Sequence, residues 1–319
     1  MLKVAVLDDY QRVAKRFADW SKLESRCSVE IFDRHLGDID EAIAALIDFD
    51  IICLLRERMA MPAALIERLP KLKLICATGA HNRTLDLQAA QAQGIVVSHT
   101  RNASTENPTA ELTWGLILSA ARRIDLENRN VRTGGWQTTV GLTLHGRTLG
   151  VLGLGRLGKV VARIGAAFGM EIIAWSPNLT EERAAEAGVR LVSKSELFAE
   201  SDVVTIHMVL SEATRGLVGA EELALLGEDG ILVNTSRGPI VHEDALIAAL
   251  RERRLGLAAL DTFDVEPLPE GHPFRAMENV LATPHLGYVT AETYQVFYPD
   301  VVENIEAFLS GRPIRLLQH

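Results

Sequence analysis

A glycine-rich stretch that can bind phosphate lies near the middle of the chain. Gly153, Gly155 and Gly158 follow the apolar run 148–152 and precede a helical pattern over 157–168. Gly153 permits a tight turn, Gly155 lets a pyrophosphate approach the backbone, and Gly158 lets the helix pack closely on the strand. Three such glycines also occur in ordinary loops, but a second apolar run completes a strand, turn, helix and strand unit. The pattern therefore predicts a dinucleotide site.

An arginine follows an apolar strand pattern in the second half of the chain. Arg237 comes shortly after the run 231–234 and is followed by Gly238. Ligands of open α/β sheets bind beyond the carboxyl ends of the strands, where a guanidinium can hold a carboxylate through two parallel hydrogen bonds. The alternative is a surface arginine paired with a local acid. The position makes Arg237 a candidate substrate ligand.

The next two strand ends carry carboxylates and a histidine. Asp261 and Glu266 follow the run 257–260, and His285 follows the run 280–282. A lone loop histidine is more often structural or solvated. A carboxylate from a neighbouring strand end changes that assessment, because it would stabilise the imidazolium and hold the ring in one tautomer. Glu266 and His285 together predict a general acid/base pair.

Apolar strand patterns alternate with helical patterns along both halves of the chain. This alternation favours parallel sheets covered by helices, and 319 residues suit two domains. A glycine-containing polar stretch over 133–146 looks like a crossing between domains, and an amphipathic helix is predicted over 291–309. The strands are predicted at 4–7, 29–32, 51–54, 74–77, 95–97, 148–152, 171–175, 203–206, 231–234, 257–260 and 280–282.

Composition excludes several classes of function. The net charge of -9 and the absence of a basic run argue against a nucleic-acid-binding protein. The apolar start is too short for a signal peptide, and no segment has transmembrane length without a charge. The cysteines, Cys27, Cys53 and Cys76, are odd in number, which suggests buried thiols in a reducing cytoplasm. We expect a cytoplasmic enzyme with no membrane partner and no metal site.

Together these segments form four ordered motifs that resemble those of the D-isomer-specific 2-hydroxyacid dehydrogenases. The resemblance spans essentially the whole chain. It implies an α/β protein of two Rossmann-like domains: a smaller flavodoxin-like substrate domain over 1–100, completed by the C-terminal segment 288–319, and a doubly wound parallel-sheet cofactor domain over 101–287. The motifs are Gly153-x-Gly155-x-x-Gly158, Asn234-Thr-Ser-Arg-Gly238, Asp261-x-Phe-x-x-Glu266-Pro267 and Pro284-His285-x-Gly287.

The resemblance also implies a role for each candidate residue. Arg237 binds the substrate carboxylate and keto oxygen, His285 donates the proton, and Glu266 is its paired carboxylate. Asp261 matches the position that touches the nicotinamide end of the cofactor. The family usually forms a homodimer whose contact runs through the cofactor domain. The implied cofactor-binding residues are Gly153, Gly155, Arg156, Leu157, Gly158, Ser176, His207, Thr214, Thr235, Asp261 and Gly287.

The residue at the end of the strand 171–175 departs from the pattern of a site that prefers NAD. Such a site carries an acid there to bind the adenosine ribose hydroxyls, whereas this chain has Ser176. The run Trp175-Ser-Pro-Asn178 holds no carboxylate to repel a 2′-phosphate and no arginine to clamp one. We expect the cofactor to be NAD(P), with NADP used at least as well as NAD.

The predicted substrate residues lie in the first hundred residues. His81 and Asn82 stand in a stretch that aligns with the glycine-containing substrate loop of the family, although their side chains can instead face solvent. Arg56 matches the position where phosphoglycerate dehydrogenases place an arginine for phosphate. No further basic cluster supports a phosphorylated substrate. A small unphosphorylated keto acid, such as glyoxylate or hydroxypyruvate, is therefore the first expectation.

Two rival functions remain open, and Glu266 argues against a third, formate dehydrogenase. The first is D-3-phosphoglycerate dehydrogenase, although the chain ends too soon after the predicted helix for the regulatory domain of many such enzymes. Formate dehydrogenases share the architecture but typically carry glutamine where Glu266 stands. A rival of another class is a nucleotide-sensing corepressor that keeps the fold and acts as a binding module. Turnover distinguishes an enzyme from that module.

Overall fold

The computed structural model describes residues 1–103 and 106–317, and it divides into two compact units. The first unit is Met1–Ser104 with Thr290–His319, and the second is Thr105–Val289. The boundaries predicted from the sequence, at 100/101 and 287/288, lie close to these divisions. The last two residues of the predicted segment 288–319 lie outside the described residues. Among the described residues, no helix is long and apolar enough to cross a membrane.

The strands and helices alternate along both units. In the described part of the chain, the strands are β1 (Leu2–Val6), β2 (Cys27–Ile31), β3 (Ile51–Leu54), β4 (Leu74–Ala77), β5 (Val96–His99), β6 (Thr148–Leu152), β7 (Glu171–Trp175), β8 (Arg190–Leu191), β9 (Val203–Ile206), β10 (Ile231–Asn234), β11 (Leu257–Leu260) and β12 (Val280–Ala282). The α-helices are α1 (Ala14–Phe17), α2 (Ile39–Leu46), α3 (Ala63–Ile66), α4 (Leu87–Ala92), α5 (Glu106–Arg122), α6 (Ile124–Arg132), α7 (Arg156–Ala167), α8 (Glu181–Glu186), α9 (Lys194–Glu200), α10 (Ala220–Leu226), α11 (Glu243–Arg251) and α12 (Ala291–Leu309).

The first unit is built on a parallel sheet in the order β2-β1-β3-β4-β5. This is the flavodoxin-like order, and every residue of β3 and β4 is buried, as expected for central strands covered by helices on both faces. The chain after α12 pairs with the outer strand β5. The amide of His99 donates to the carbonyl of Arg315 at 2.8 Å, and that of Leu317 donates to the carbonyl of Val97 at 2.9 Å. The tail therefore covers an edge that would otherwise be open.

The second unit is built on a parallel sheet in the order β12-β11-β10-β9-β6-β7-β8. The order reverses between β6 and β9, so the carboxyl ends of these strands flank the switch point where doubly wound sheets bind dinucleotides. The apolar side chains form one cluster on each face of the sheet. Together the two sheets confirm the predicted α/β class with two Rossmann-like units.

A buried carboxylate fixes α12 within the first unit. The Asp300 side chain is 1% exposed and accepts hydrogen bonds from the backbone amide of Arg101 at 2.7 Å and from its guanidinium at 2.7 Å. A second guanidinium, that of Arg315 in the tail, lies 3.7 Å away. Burial alone would raise the pKa of Asp300, but these hydrogen bonds and charges hold it below its ordinary value.

We expect Asp300→Asn to lower the free energy of unfolding by about 2–3 kcal/mol, because it removes one partner of a buried ion pair whose arginine is largely exposed. A carboxylate with a lowered pKa contributes stability above its unfolded pKa of about 3.9 and loses it as the pH falls through the folded value. The difference from wild type should therefore be constant between about pH 5 and 7 and shrink below about pH 4. Urea denaturation across this range measures it, and a difference that grows on acidification contradicts the assignment.

Candidate active site

His285 and Glu266 form a hydrogen-bonded pair at the carboxyl ends of β12 and β11. Nδ1 of His285 lies 2.6 Å from Oε2 of Glu266, and the two side chains are 22% and 27% exposed. The other oxygen of Glu266 accepts from the amide of Phe263 at 2.9 Å. Burial alone would raise the pKa of Glu266, but the hydrogen bond and charge of His285, that amide and the charge of Arg237 lower it. The carboxylate therefore stays charged beside the imidazole, whose Nε2 is left to meet a ligand.

Asp261 holds the segment that carries His285. Its side chain is fully buried and accepts from the hydroxyl of Thr283 at 2.6 Å and from the amides of Leu286 at 2.7 Å and Gly287 at 2.9 Å. Its carbonyl accepts from the amide of His285. Burial raises the pKa of Asp261 in spite of these bonds. The φ of His285 is +53°, a left-handed conformation that a side chain adopts only when its surroundings hold it there.

Gly238 lets the loop after β10 approach the loop after β11. A Cβ at this position would lie 2.1 Å from the carbonyl carbon of Phe263 and 2.5 Å from the amide nitrogen of Asp264. The preceding residue, Arg237, is half-buried, and its guanidinium donates to the carbonyl of Ser236 at 2.7 Å. Asn234 closes the turn by donating to the carbonyl of Arg237 at 2.9 Å. The close contact brings Arg237 near enough to Glu266 to lower the pKa of that carboxyl.

The glycine turn after β6 has the geometry expected of a phosphate cradle. Gly153 has φ +105°, and a Cβ there would lie 2.6 Å from the carbonyl oxygen of His207. A Cβ at Gly158 would lie 2.1 Å from the carbonyl oxygen of Gly153, so α7 can pack on the turn only without a side chain. A Cβ at Gly155 would meet nothing within 4 Å. Arg156 and Leu157 begin α7, and Gly155 provides no side-chain cap for its amides. The N-terminus of α7 and the open space beside Gly155 fit the pyrophosphate of a dinucleotide.

The loops after β7 and β9 supply further polar groups beside this turn. The hydroxyl of Ser176 accepts from the amide of Leu154 at 3.1 Å. Nε2 of His207 lies 2.9 Å from the hydroxyl of Thr205, whereas its Nδ1 is buried and has no partner among the described residues. Burial lowers the pKa of His207 to about 3, so the ring is neutral. A buried nitrogen without a partner is what a bound cofactor can satisfy.

Three further predicted cofactor residues are hydrogen-bonded within the second unit. Thr214 donates to the carbonyl of Val209 at 2.6 Å and is buried. Thr235 lies 2.8 Å from the hydroxyl of Thr113. Gly287 accepts at its carbonyl from the hydroxyl of Thr109 at 2.9 Å. The structure thus brings together Arg237, Glu266, His285, Asp261 and Gly287 at one end of the sheet in the second unit.

The predicted substrate residues Arg56, His81 and Asn82 lie in the first unit, after β3 and β4. Asn82 is buried, and its amide donates to the carbonyl of Arg56 at 3.0 Å while its oxygen accepts from the amide of Thr84 at 3.0 Å. His81 is exposed. The guanidinium of Arg56 lies against Gly79, where a Cβ would meet its Nη1 at 1.6 Å. Asn82 therefore joins the two loops, and His81 is the side chain that faces solvent.

Several residues that support the site were not singled out from the sequence. Thr109, Thr113 and Thr283 each bond a loop residue, but threonines of this kind carry no local signal of the distant partner they meet. Arg183 on α8 donates to the carbonyl of Asn178 at 3.1 Å, in the loop that follows β7. Its position in the first turn of the helix after that loop was the signal in the sequence that could have identified this contact. No group of three metal-ligating side chains that could hold a metal ion occurs within residues 1–103 and 106–317.

Comparison with known proteins gives concordant matches. A family model described as the NAD-binding domain of the D-isomer-specific 2-hydroxyacid dehydrogenases matches residues 114–287. A glyoxylate reductase of Aeropyrum pernix is 41% identical over 78% of this chain and 76% of its own length. A D-3-phosphoglycerate dehydrogenase of Methanocaldococcus jannaschii is 38% identical over 85% of this chain, which spans only 52% of that protein. A phosphoglycerate oxidoreductase of Vibrio cholerae has a crystal structure that superposes with a TM-score of 0.90 at 34% identity, covering 98% of this chain and all of that one.

The glycines of the turn allow one matched test of the cofactor site. We expect Gly155→Ala to leave stability unchanged, because its Cβ meets nothing, and to weaken NADH binding by about tenfold or more by filling the space for the pyrophosphate. Gly158→Ala should instead cost about 1–3 kcal/mol of stability, because its Cβ would meet backbone. Calorimetric titration and thermal denaturation separate the two effects. Equal NADH affinity in Gly155→Ala and wild type would place the pyrophosphate elsewhere.

Proposed function

The chain belongs to the D-isomer-specific 2-hydroxyacid dehydrogenase family, and from that premise we propose that it interconverts a small unphosphorylated 2-keto acid, of the glyoxylate or hydroxypyruvate type, and its D-2-hydroxy acid. The family consists of nicotinamide-dependent oxidoreductases that act on CH–OH groups. The observation that carries the proposal is the 2.6 Å pair of His285 and Glu266, with Arg237 at a nearby strand end. Glyoxylate reductases among the relatives support the unphosphorylated substrate.

The residues of the second unit divide the chemistry of carbonyl reduction. Arg237 binds the carboxylate and polarises the keto oxygen through charge-assisted hydrogen bonds. His285 donates a proton from Nε2 to the oxygen that becomes the hydroxyl, since Glu266 occupies Nδ1 and orients the ring. A reduced nicotinamide, when bound, supplies the hydride that the carbonyl carbon requires. Oxidation of the hydroxy acid runs these steps in reverse, with His285 as the base.

The cofactor would be held by the turn from Gly153 to Gly158 and by the loops around Ser176 and His207. We propose that NADP is used at least as well as NAD. Ser176 places no negative charge where a 2′-phosphate would lie, and its hydroxyl already accepts from the amide of Leu154. The guanidinium of Arg183 reaches the same loop and favours a phosphate there.

The first unit would supply further groups that bind the substrate. The substrate loops of the first unit, with Arg56, His81 and Asn82, would offer their backbone amides and the Arg56 guanidinium to the substrate. The side chain of Asn82 is engaged in joining those loops.

Cys27, Cys53 and Cys76 are free and buried, which supports a reducing cytoplasmic location.

Turnover with a panel of keto acids tests the proposed reaction. Loss of NADH and of NADPH absorbance is followed with glyoxylate, hydroxypyruvate and 3-phosphohydroxypyruvate. We expect His285→Ala and Arg237→Ala to lower kcat/KM by about a hundredfold or more while cofactor affinity survives. The exposed pair His145→Ala and Arg190→Ala are matched controls in the same unit and should keep full activity.

Each contrary outcome of this panel has a distinct meaning. Turnover of the phosphorylated acid alone would assign the chain as a D-3-phosphoglycerate dehydrogenase. Cofactor binding without turnover of any acid would favour a corepressor-like binding module. A large preference for NADH over NADPH, measured by kcat/KM, would contradict the proposed use of NADP. Full activity of either site variant would remove its residue from the mechanism.

The second unit also carries an exposed apolar segment that supports a homodimer. Ile124, Val131, Trp136 and Val140 lie on α6 and the segment after it, and they are 51%, 56%, 76% and 98% exposed. Apolar side chains exposed in one stretch are typical of protein interfaces. We propose that a second copy of this chain covers them, which agrees with a dimer formed through the cofactor unit.

Sedimentation equilibrium tests the dimer. We expect wild type to have twice the 34.9 kDa mass of one chain and the double variant Trp136→Ser with Val140→Ser to dissociate at least about tenfold more readily, because it removes buried apolar area. Ile47→Ser, which changes an apolar side chain that is 43% exposed in the first unit, is the matched control. A monomeric wild type would contradict the proposal.

A further inference from the structure

Two threonines on one face of α5 reach the loops that follow β10 and β12. The hydroxyl of Thr109 donates to the carbonyl of Gly287 at 2.9 Å. The hydroxyl of Thr113 lies 2.8 Å from that of Thr235. Residues four apart lie on the same face of a helix, one turn from each other. One turn of α5 therefore contacts both loops.

The direction of these hydrogen bonds follows from counting protons. A threonine hydroxyl has one proton, and that of Thr113 points to the carbonyl of Thr109 at 2.8 Å. Thr113 can therefore only accept from Thr235, whose hydroxyl is the donor. Two hydrogen bonds therefore run in series, from Thr235 to Thr113 and from Thr113 to the carbonyl of Thr109, while the hydroxyl of Thr109 separately donates to the carbonyl of Gly287. Bonds ordered in this way strengthen one another, and Thr113 is fully buried.

The sheet itself provides no direct link between these two loops. β11 lies between β10 and β12, so no ladder hydrogen bond joins the strands that precede them. Thr235 stands two residues before Arg237, and Gly287 stands two residues after His285. The distance between the guanidinium and the imidazole therefore depends on contacts made beyond the strand ends. The two threonines supply one such contact from outside the sheet.

We propose that Thr109 and Thr113 are positioning residues that hold the Arg237 loop and the His285 loop at a fixed separation. The proposal rests on the function proposed above, because only then do the two loops act on one substrate. It has a further consequence for Thr235. Since its proton is committed to Thr113, its hydroxyl can meet a ligand only as an acceptor, so the group it contacts must be a donor.

Removal of each hydroxyl without change of shape tests the proposal. Thr109→Val should lower kcat about tenfold with KM for the keto acid within about twofold, because it loosens the segment of the proton donor. Thr113→Val should raise that KM about fivefold or more, because it loosens the segment of the carboxylate ligand. Thr109→Ser and Thr113→Ser keep the hydroxyls and should restore wild-type values to within about twofold. Thr293→Val, a buried helical threonine of the first unit, is the control and should keep both constants.

A second measurement does not depend on turnover. Amide hydrogen exchange of segments 283–289 and 234–238 should accelerate about fivefold or more in the matching valine variant and not in the serine variant. If Thr113→Val does not fold, the variant Thr109→Val, at a half-buried position, tests the link between α5 and the His285 loop by itself. Unchanged exchange and unchanged kinetics in the valine variants would overturn the proposal, as would serine variants as impaired as the valine ones. Faster exchange in a protein without turnover would keep the link and reject the dehydrogenase assignment.

Discussion

The buried carboxylate of Asp261 is the constraint on which the candidate site depends. A carboxylate taken out of water must be hydrogen-bonded by the protein, and here the hydroxyl of Thr283 and the amides of Leu286 and Gly287 do so. These donors lie on both sides of His285 along the chain. To bond all of them at once, the segment must turn tightly, and His285 takes the left-handed conformation at the apex of that turn. The cost of burying one charge thus fixes the direction of the imidazole.

Glycines at two positions let neighbouring loops pack closely, backbone against backbone. Gly238 lets the Arg237 loop touch the backbone at Phe263, and Gly153 lets the turn after β6 touch the backbone of His207. Both contacts are closer than any side chain would permit. Backbone packed on backbone has few alternative arrangements, so the carboxyl ends of these strands form one rigid edge. A parallel sheet places its strand ends together, and these close contacts further restrict where the side chains of the loops lie.

The sequence predicted the elements best where their patterns are strong. The limits of β3, β6 and β10 and of α12 match the predicted ranges residue by residue, because runs of apolar residues bounded by polar or turn residues leave one assignment. The limits of β4, β7, β9, β11 and β12 match as well, whereas those of β1, β2 and β5 differ from the predicted ranges by one or two residues at each end. The two-residue strand β8 was missed, since two residues carry no periodicity.

Some contacts of the candidate site could be predicted from the sequence and others could not. The pairing of His285 with Glu266 was predictable because carboxyl ends of adjacent parallel strands meet, whereas the threonine contacts of α5 were not. They join residues more than a hundred positions apart in the chain, and a hydroxyl that reaches a distant backbone looks like any other helical threonine. The hydrogen bond from the amide of Leu154 to the hydroxyl of Ser176 could not be predicted for the same reason. Local pattern indicates which elements form, and only the tertiary fold decides which polar groups meet.

Two carboxylates in the same loop have opposite electrostatics, and the difference separates their functions. The pKa of Asp261 is raised by burial, whereas that of Glu266 is lowered, against its own burial, by His285 and Arg237. Asp261 therefore bonds the backbone on either side of His285, and Glu266 bonds the ring. Because different groups hold the backbone and the ring, a change in the protonation of the imidazole alters the bond to Glu266 without releasing the turn. The proposed proton donor must be recharged in every cycle and requires this independence, and two acids in the loop after β11 provide it.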